Sequence, residues 1–260
     1  ADHPTQILAD MMTIEEHCAK PLKDVKVVFP GDVRNNMCYA WMYGCAKMGM
    51  HFVGLGPREL VDGVDKSVMA QVDAVARETG AVIEITDDQG TLVGADVIYG
   101  DIWASMGEED LIPERAKLLT PFRVTEDTLE RTGNSKVLYM HCLPSFHDFE
   151  TKLAREWQAK GVDIREVDDV VFRGPHSVVL DAAETRQHAI QAVRGATTGA
   201  KNPPGPDRAG PGLVVNLWIL PGLPPGCHRR RSEHRRRRRT PGCRGSQRDR
   251  SSRIGSPSDT

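Results

Sequence analysis

Five short apolar stretches, each about a strand long and each separated from the next by other structure-forming residues, leave this chain few ways to fold. They are Val25–Phe29, His51–Leu55, Ala81–Ile85, Asp96–Tyr99 and Lys136–Met140. Runs of this kind, rich in Val, Ile, Phe and Tyr, suit strands buried on both faces of a parallel sheet. Parallel neighbours need a long crossover, usually a helix. The intervening residues supply it. Ile7, Leu8, Met11, Met12 and Ile14 recur at helical spacing within Thr5–Ala19, and Pro21 ends that segment. Helices are predicted from about Arg34 to Met48 and from Val64 to Glu78, the second stopped by Gly80. A short helix is predicted over Gln89–Val93 and another over Thr125–Arg131, with Thr125 as N-cap. Phe149–Lys160 and Ser177–Val193 complete the regular part. Strands alternating with helices specify an α/β fold, a doubly wound parallel sheet.

After about Ala196 the pattern stops. Lys201–Gly212 is Pro/Gly-rich, and Gly222–Thr260 is dominated by Arg, Pro, Gly and Ser, with one apolar island at Leu213–Leu220. Positions 205–260 hold 13 Lys/Arg and 4 Asp/Glu, which leaves 21 basic and 32 acidic residues of the totals 34 and 36 for the rest. The overall charge of −2 thus conceals an acidic body and a basic tail. Such a tail cannot bury enough apolar surface to offset chain entropy, so disorder is expected there. No apolar run is long enough to span a bilayer, and the opening residues do not read as a signal peptide. The six Cys lack paired spacing, so reduced thiols in a cytoplasmic setting are expected. Ala opens the chain, which leads us to expect a processed, trimmed or partial sequence.

The residues able to do chemistry gather where two of the strands end. One strand runs into Met140-His141-Cys142-Leu143-Pro144-Ser145-Phe146-His147-Asp148, and another into Asp101-Ile102-Trp103-Ala104-Ser105-Met106-Gly107. Open α/β sheets bind ligands at this carboxyl edge. His-Cys-Leu-Pro and Asp-x-x-x-Ser-Met-Gly together resemble the ornithine carbamoyltransferase family, and the likeness extends over roughly residues 2–198. It implies an interdomain helix at 1–20, an ornithine-binding α/β domain at 21–198 and an unrelated tail at 199–260. It also implies transfer of a carbamoyl group from carbamoyl phosphate to the side-chain amine of ornithine, without a cofactor or metal, in an enzyme assembled from trimers.

That reaction needs cations and backbone amides for the phosphate, and preorganised donors for the carbamoyl oxygen as it gains charge. It also needs a neutral amine. An alkylamine with a pKa of about 10.4 is neutral at pH 7 in about one molecule in a few thousand, a deficit of roughly 4.6 kcal/mol. The resemblance assigns Asp101 to the amine end of ornithine, and Ser105 and Met106 to its amino-acid head. Asn36 matches a carboxylate-binding Asn after the first strand. Cys142 is placed near the attacking amine, with the Cys142 and Leu143 carbonyls as proton acceptors. His3 and Gln6 match a motif that contacts the carbamoyl group, and Arg186 matches an Arg reaching carbamoyl phosphate from the last helix.

Each of these residues also has a plainer reading. Asp101 alone would be a solvated loop acid or a cap, Cys142 a buried inert thiol, Asn36 a helix cap and Arg186 a surface ion pair. His147 and Asp148 read as loop-ordering residues. Cys227, His228, His234 and Cys243 lack the close ligand pairs of a zinc module. Gly54-x-Gly56 lacks the third Gly of a dinucleotide fingerprint. Arg235–Arg239 would bind nucleic acid only adventitiously, having no interleaved aromatics to stack bases. The family's phosphate loop, Ser-x-Arg-Thr, does not occur in these residues. A chain inactive by itself is therefore expected. The alternative expectations are a non-catalytic fragment or a basic-tailed nucleic-acid binder.

Overall fold

A computed structural model of the chain describes residues 3–104 and 107–198. Helix α1 (Pro4–His17) leads into β1 (Lys26–Pro30), α2 (Asn36–Met48), β2 (His51–Leu55), α3 (Arg58–Val61), α4 (Lys66–Thr79) and β3 (Val82–Thr86). The chain continues through β4 (Val97–Gly100), α5 (Ile112–Leu119), α6 (Glu126–Glu130), β5 (Leu138–His141), α7 (Lys152–Ala159), α8 (Asp169–Phe172) and α9 (Val179–Thr198). The five strands form one parallel sheet in the order β3-β2-β1-β4-β5. Strand order therefore reverses between β1 and β4, the switch point at which such sheets bind ligands. The predicted fold class and all five predicted strands are present. None of the described helices is long and apolar enough to cross a membrane.

The strands bury alternate side chains on opposite faces, as the two-residue period of a strand requires. Val27, Phe29, Phe52, Val97, Tyr99 and Met140 face one layer, where Ile7, Met11 and Ile14 of α1 meet Met37, Trp41 and Cys45 of α2. Val28, Val53, Leu55, Ile98 and Tyr139 face the other, against Leu92, Val124, Leu129, Val167, Val171 and Val179. Tyr99 lies at the centre of the first layer. Its ring stacks on Phe29 at 6.1 Å and meets Trp41 edge-on at 5.0 Å. The outer edge of β5 is closed by the 176–178 segment, through Tyr139 N–H to the His176 carbonyl and Val178 N–H to the Tyr139 carbonyl.

Local chemistry sets the ends of these elements. Thr125 caps α6 in a capping box with Thr128, and Gly80 ends α4 in the left-handed region at φ 79°. The α2 cap is Asn35, whose side chain accepts from the Cys38 N–H at 2.8 Å. Helix α5 had no clear sequence signal because it is short and begins beside Pro113. Its buried Ile112, Ala116 and Leu119 nonetheless follow helical spacing. Helices α3 and α8, four residues each, are too short for periodicity to show. The Pro/Gly-rich and Arg-rich stretches beyond 198, with the disorder and adventitious nucleic-acid binding expected of them, lie outside the described residues.

Helix α1 packs closely on α2 because Gly44 has no side chain. A Cβ there would lie 2.5 Å from Ile7 Cγ2 and 2.9 Å from Met11 Cε. Intrinsic helix propensity favours Ala over Gly by about 1 kcal/mol. Overpacking against a β-branched neighbour costs about 1–3 kcal/mol and should outweigh that gain. Gly44→Ala is therefore expected to lower the urea midpoint, where propensity alone would raise it.

Candidate functional site

The site is built from the loops that leave β1, β4 and β5. Asp101 follows directly after β4 and is 8% exposed. One carboxylate oxygen, Oδ2, accepts from Asn35 Nδ2 at 2.6 Å. The other accepts from its neighbour's backbone, Ile102 N–H, at 2.9 Å and from the Cys142 thiol at 2.9 Å. Three chain segments thus converge on one carboxylate at the switch point. Among the described residues no Lys or Arg pairs with it. Burial raises the Asp101 pKa, while the nearby His141 and the three hydrogen bonds oppose that rise. Burial and the Asp101 charge push the Cys142 thiol well above its usual range. The sulfur is held as a donor to Asp101, a poor state for a nucleophile.

The turn after β5 is fixed from below. His141 is buried, and its Nδ1 accepts from the Leu143 N–H at 3.0 Å. This assigns the ring proton to Nε2, which approaches Glu166 Oε1 at 3.2 Å but off the line of a hydrogen bond. The same Glu166 oxygen accepts from Ser145 Oγ at 2.7 Å and from the Phe146 N–H at 2.6 Å. Leu143 takes φ 51°, a region unusual for a side chain of its size, and the Leu143–Pro144 peptide is cis. Further along, His147 stacks on Phe172 at 3.8 Å, and its Nδ1 lies 2.6 Å from Asp169 and 3.4 Å from Asp148. Arg173 pairs with both acids, so this cluster already holds its own cation.

A cavity of about 210 Å³ opens beside the turn, lined by Gln6, His141, Cys142, Leu143, Ala183 and Arg186. It brings together four of the residues assigned to carbamoyl phosphate: Gln6, Cys142, Leu143 and Arg186. His3 is the N-cap residue of α1 and is not part of this lining. Asn36 is exposed on the first turn of α2, and its neighbour Asn35 reaches Asp101. Ser105 and Met106 lie outside the described residues.

Sequence reasoning missed Asn35, Asp10, Tyr99 and Glu166. Asn35 stood next to a residue already under consideration, and its position before a helix is that of a cap. Asp10 interrupts the buried stripe of Ile7, Met11 and Ile14, a pattern that marks a buried polar group. Glu166 is hidden in a charged stretch, Asp163 to Asp169, and its burial follows only from the tertiary fold.

Asp10 is fully buried at the base of this site. It accepts from Gln6 Nε2 at 2.9 Å and from the Tyr99 hydroxyl at 2.8 Å. Desolvation raises its pKa from 3.8 to about 7, against those two bonds and the charge of Arg186. The folded chain therefore keeps a proton that the unfolded chain releases between these values. Stability tied to Asp10 is full below pH 3.8 and is lost as pH rises to about 7. At about 1.36 kcal/mol per pH unit the loss is on the order of 4 kcal/mol. Urea midpoints at pH 5 and pH 8 should show this decline, and Asp10→Asn should flatten it.

Residues 23–196 match the family described as aspartate/ornithine carbamoyltransferase, Asp/Orn binding domain. A catabolic ornithine carbamoyltransferase of Clostridium perfringens is 57% identical over 202 residues, 76% of this chain and 60% of that protein. One from Bacillus licheniformis is 45% identical over 199 residues, 76% of this chain and 58% of that protein. Among solved structures, the ornithine carbamoyltransferase of Pyrococcus furiosus is 36% identical with a TM-score of 0.64, covering 77% of this chain and 58% of that one. The chain thus spans about 60% of the length of the curated relatives it matches.

Proposed function

This chain belongs to the aspartate/ornithine carbamoyltransferase family, and on that premise we propose that its site binds ornithine and serves carbamoyl transfer to the ornithine side-chain amine. The observation that carries the reading is Asp101. A buried carboxylate without a cationic partner is costly, and an ammonium group arriving as substrate supplies the missing charge. The same carboxylate would repel the acidic side chain of aspartate, the other amino acid for which the family is described. Asn35, Asn36, Ser105 and Met106 are then candidates for the amino-acid head, and Asp101 for the amine.

The adjacent cavity takes carbamoyl phosphate in this reading. Arg186 is the cation among its described lining residues and faces the phosphate or the carbamoyl oxygen. Gln6 and the Cys142–Leu143 backbone meet the carbamoyl group, with His3 at the start of the same helix. The ammonium gives up one proton to solvent, the neutral nitrogen bonds to the carbamoyl carbon, and as the carbon–oxygen bond to phosphate breaks the nitrogen's second proton passes to the departing phosphate, giving citrulline and hydrogen phosphate. Asp101 holds the amine in line, and Cys142, protonated, orients Asp101 rather than attacking the substrate. Residues 1–20 act as an interdomain helix and 21–198 as the ornithine-binding domain. A trimer-based cytoplasmic enzyme belongs to the same proposal.

One Arg is a thin grip on a phosphate dianion, so the 260 residues by themselves are expected to form citrulline at a negligible rate. Normal turnover in a citrulline assay would remove that expectation. Ornithine binding is the direct test of the site. Calorimetric titration should show ornithine binding and aspartate not, with Asp101→Asn weakening ornithine by about tenfold or more, the scale of a lost charged hydrogen bond. Equal affinity in the variant would take Asp101 out of the site.

A further inference from the structure

Gln6, Asp10 and Tyr99 form a buried chain that ends at the cavity. A glutamine amide has one donor end and one acceptor end. The donor end of Gln6 is committed to Asp10 Oδ1 at 2.9 Å. The other Asp10 oxygen is held by the Tyr99 hydroxyl at 2.8 Å. What remains is Gln6 Oε1, buried and without a hydrogen-bond partner, on a side chain that lines the cavity. Buried acceptors are rarely left unpaired, and one at a cavity wall is a waiting contact for a donor.

We propose that Asp10, braced by Tyr99, is a positioning residue that turns the Gln6 amide oxygen toward the cavity, so that the cavity selects an acyl phosphate bearing N–H donors over one bearing a methyl group. This rests on the carbamoyl-phosphate reading of the cavity. The two ends of an amide are nearly equal in size, so hydrogen bonding, not shape, decides which end faces the ligand. Ionised Asp10 offers acceptors alone, and Gln6 must turn its NH2 toward it. Protonated Asp10 offers a hydroxyl donor, and the Gln6 oxygen can swing to accept it, leaving the NH2 end to the cavity. Burial brings the Asp10 pKa to about 7, so both states exist near neutrality. The groups facing Asp10 from other elements are Tyr99 of β4, His141 and Cys142 at the end of β5, and Arg186 of α9. Asp101 faces the same Tyr99. Tyr99 and Arg186 both favour the ionised form, the one that presents oxygen to the cavity.

Carbamoyl phosphate and acetyl phosphate differ by an NH2 in place of a CH3, so the ratio of their affinities isolates this contact and cancels the ionisation of the phosphate. In the isotopically labelled 260-residue chain, the Gln6 side-chain amide signal should titrate together with the Asp10 carboxyl signal, with a midpoint near 7. Carbamoyl phosphate should be favoured by about tenfold or more at pH 8, the scale of a buried acceptor left unmet. The preference should shrink several-fold at pH 6. Asp10→Asn should make both the Gln6 signal and the affinity ratio independent of pH. If that variant folds poorly, Tyr99→Phe carries the test, because losing its hydrogen bond moves the Asp10 midpoint to higher pH and Gln6 must follow. A Gln6 signal that stays flat while Asp10 titrates overturns the proposal, as does an affinity ratio that keeps its pH dependence in Asp10→Asn. If neither acyl phosphate disturbs the Arg186 signals, the carbamoyl-phosphate reading fails on its own, and the ligand-free titration of Gln6 then decides the positioning role.

Discussion

A carboxylate buried where β1 and β4 diverge sets the terms for its surroundings. Removing an ion from water costs several kcal/mol even after the protein relaxes. The fold can meet that cost only with donors already in place. Asp101 receives three: the Asn35 amide from the loop after β1, the Ile102 N–H from its own turn, and the Cys142 thiol from the loop after β5. Each donor is itself constrained. Asn35 is fixed by capping α2, and Cys142 sits in a turn pinned through His141 and Glu166. The geometry around the carboxylate is therefore over-determined, as a preorganised site requires.

Two buried acids share this small region and are handled differently. Among the described residues Asp101 is met by three hydrogen-bond donors and no paired cation. Asp10 is enclosed by Tyr99 and Gln6 and has no opening of its own. Tyr99 joins the two levels, since its ring is packed on Phe29 and Trp41 while its hydroxyl serves Asp10. Core packing and site electrostatics thus meet in one side chain. The Arg-flanked His147 cluster is separate, and it ties the loop after β5 to α8.

Much of this was legible in the chain. The strands announced themselves because residues buried on both faces of a parallel sheet must be apolar throughout, and Thr125 and Gly80 marked helix ends by their own chemistry. The two motifs pointed to one candidate region, since both follow strands that end on the same edge. What stayed hidden depended on long-range contact. Glu166 reads as one acid in a charged run, and nothing near it in sequence says that it accepts from a turn twenty positions earlier. Asn35 reads in sequence only as a residue ahead of a helix, and its bond to Asp101 depends on a strand 66 positions away. Short helices such as α3 and α8 fell below the length at which periodicity can be read.

The contacts that define the carboxylate site join residues 66 and 41 positions apart. In an all-parallel sheet every strand pairing also spans a full crossover. Such non-local contacts form late, because loop closure must precede any reward for it. The site therefore cannot exist in a partly assembled sheet: β1, β4 and β5 must all be paired before Asp101 has its donors. A chain that holds a ligand at this position has, by that fact alone, brought β1, β4 and β5 together, and ligand occupancy becomes a read-out of that part of the sheet.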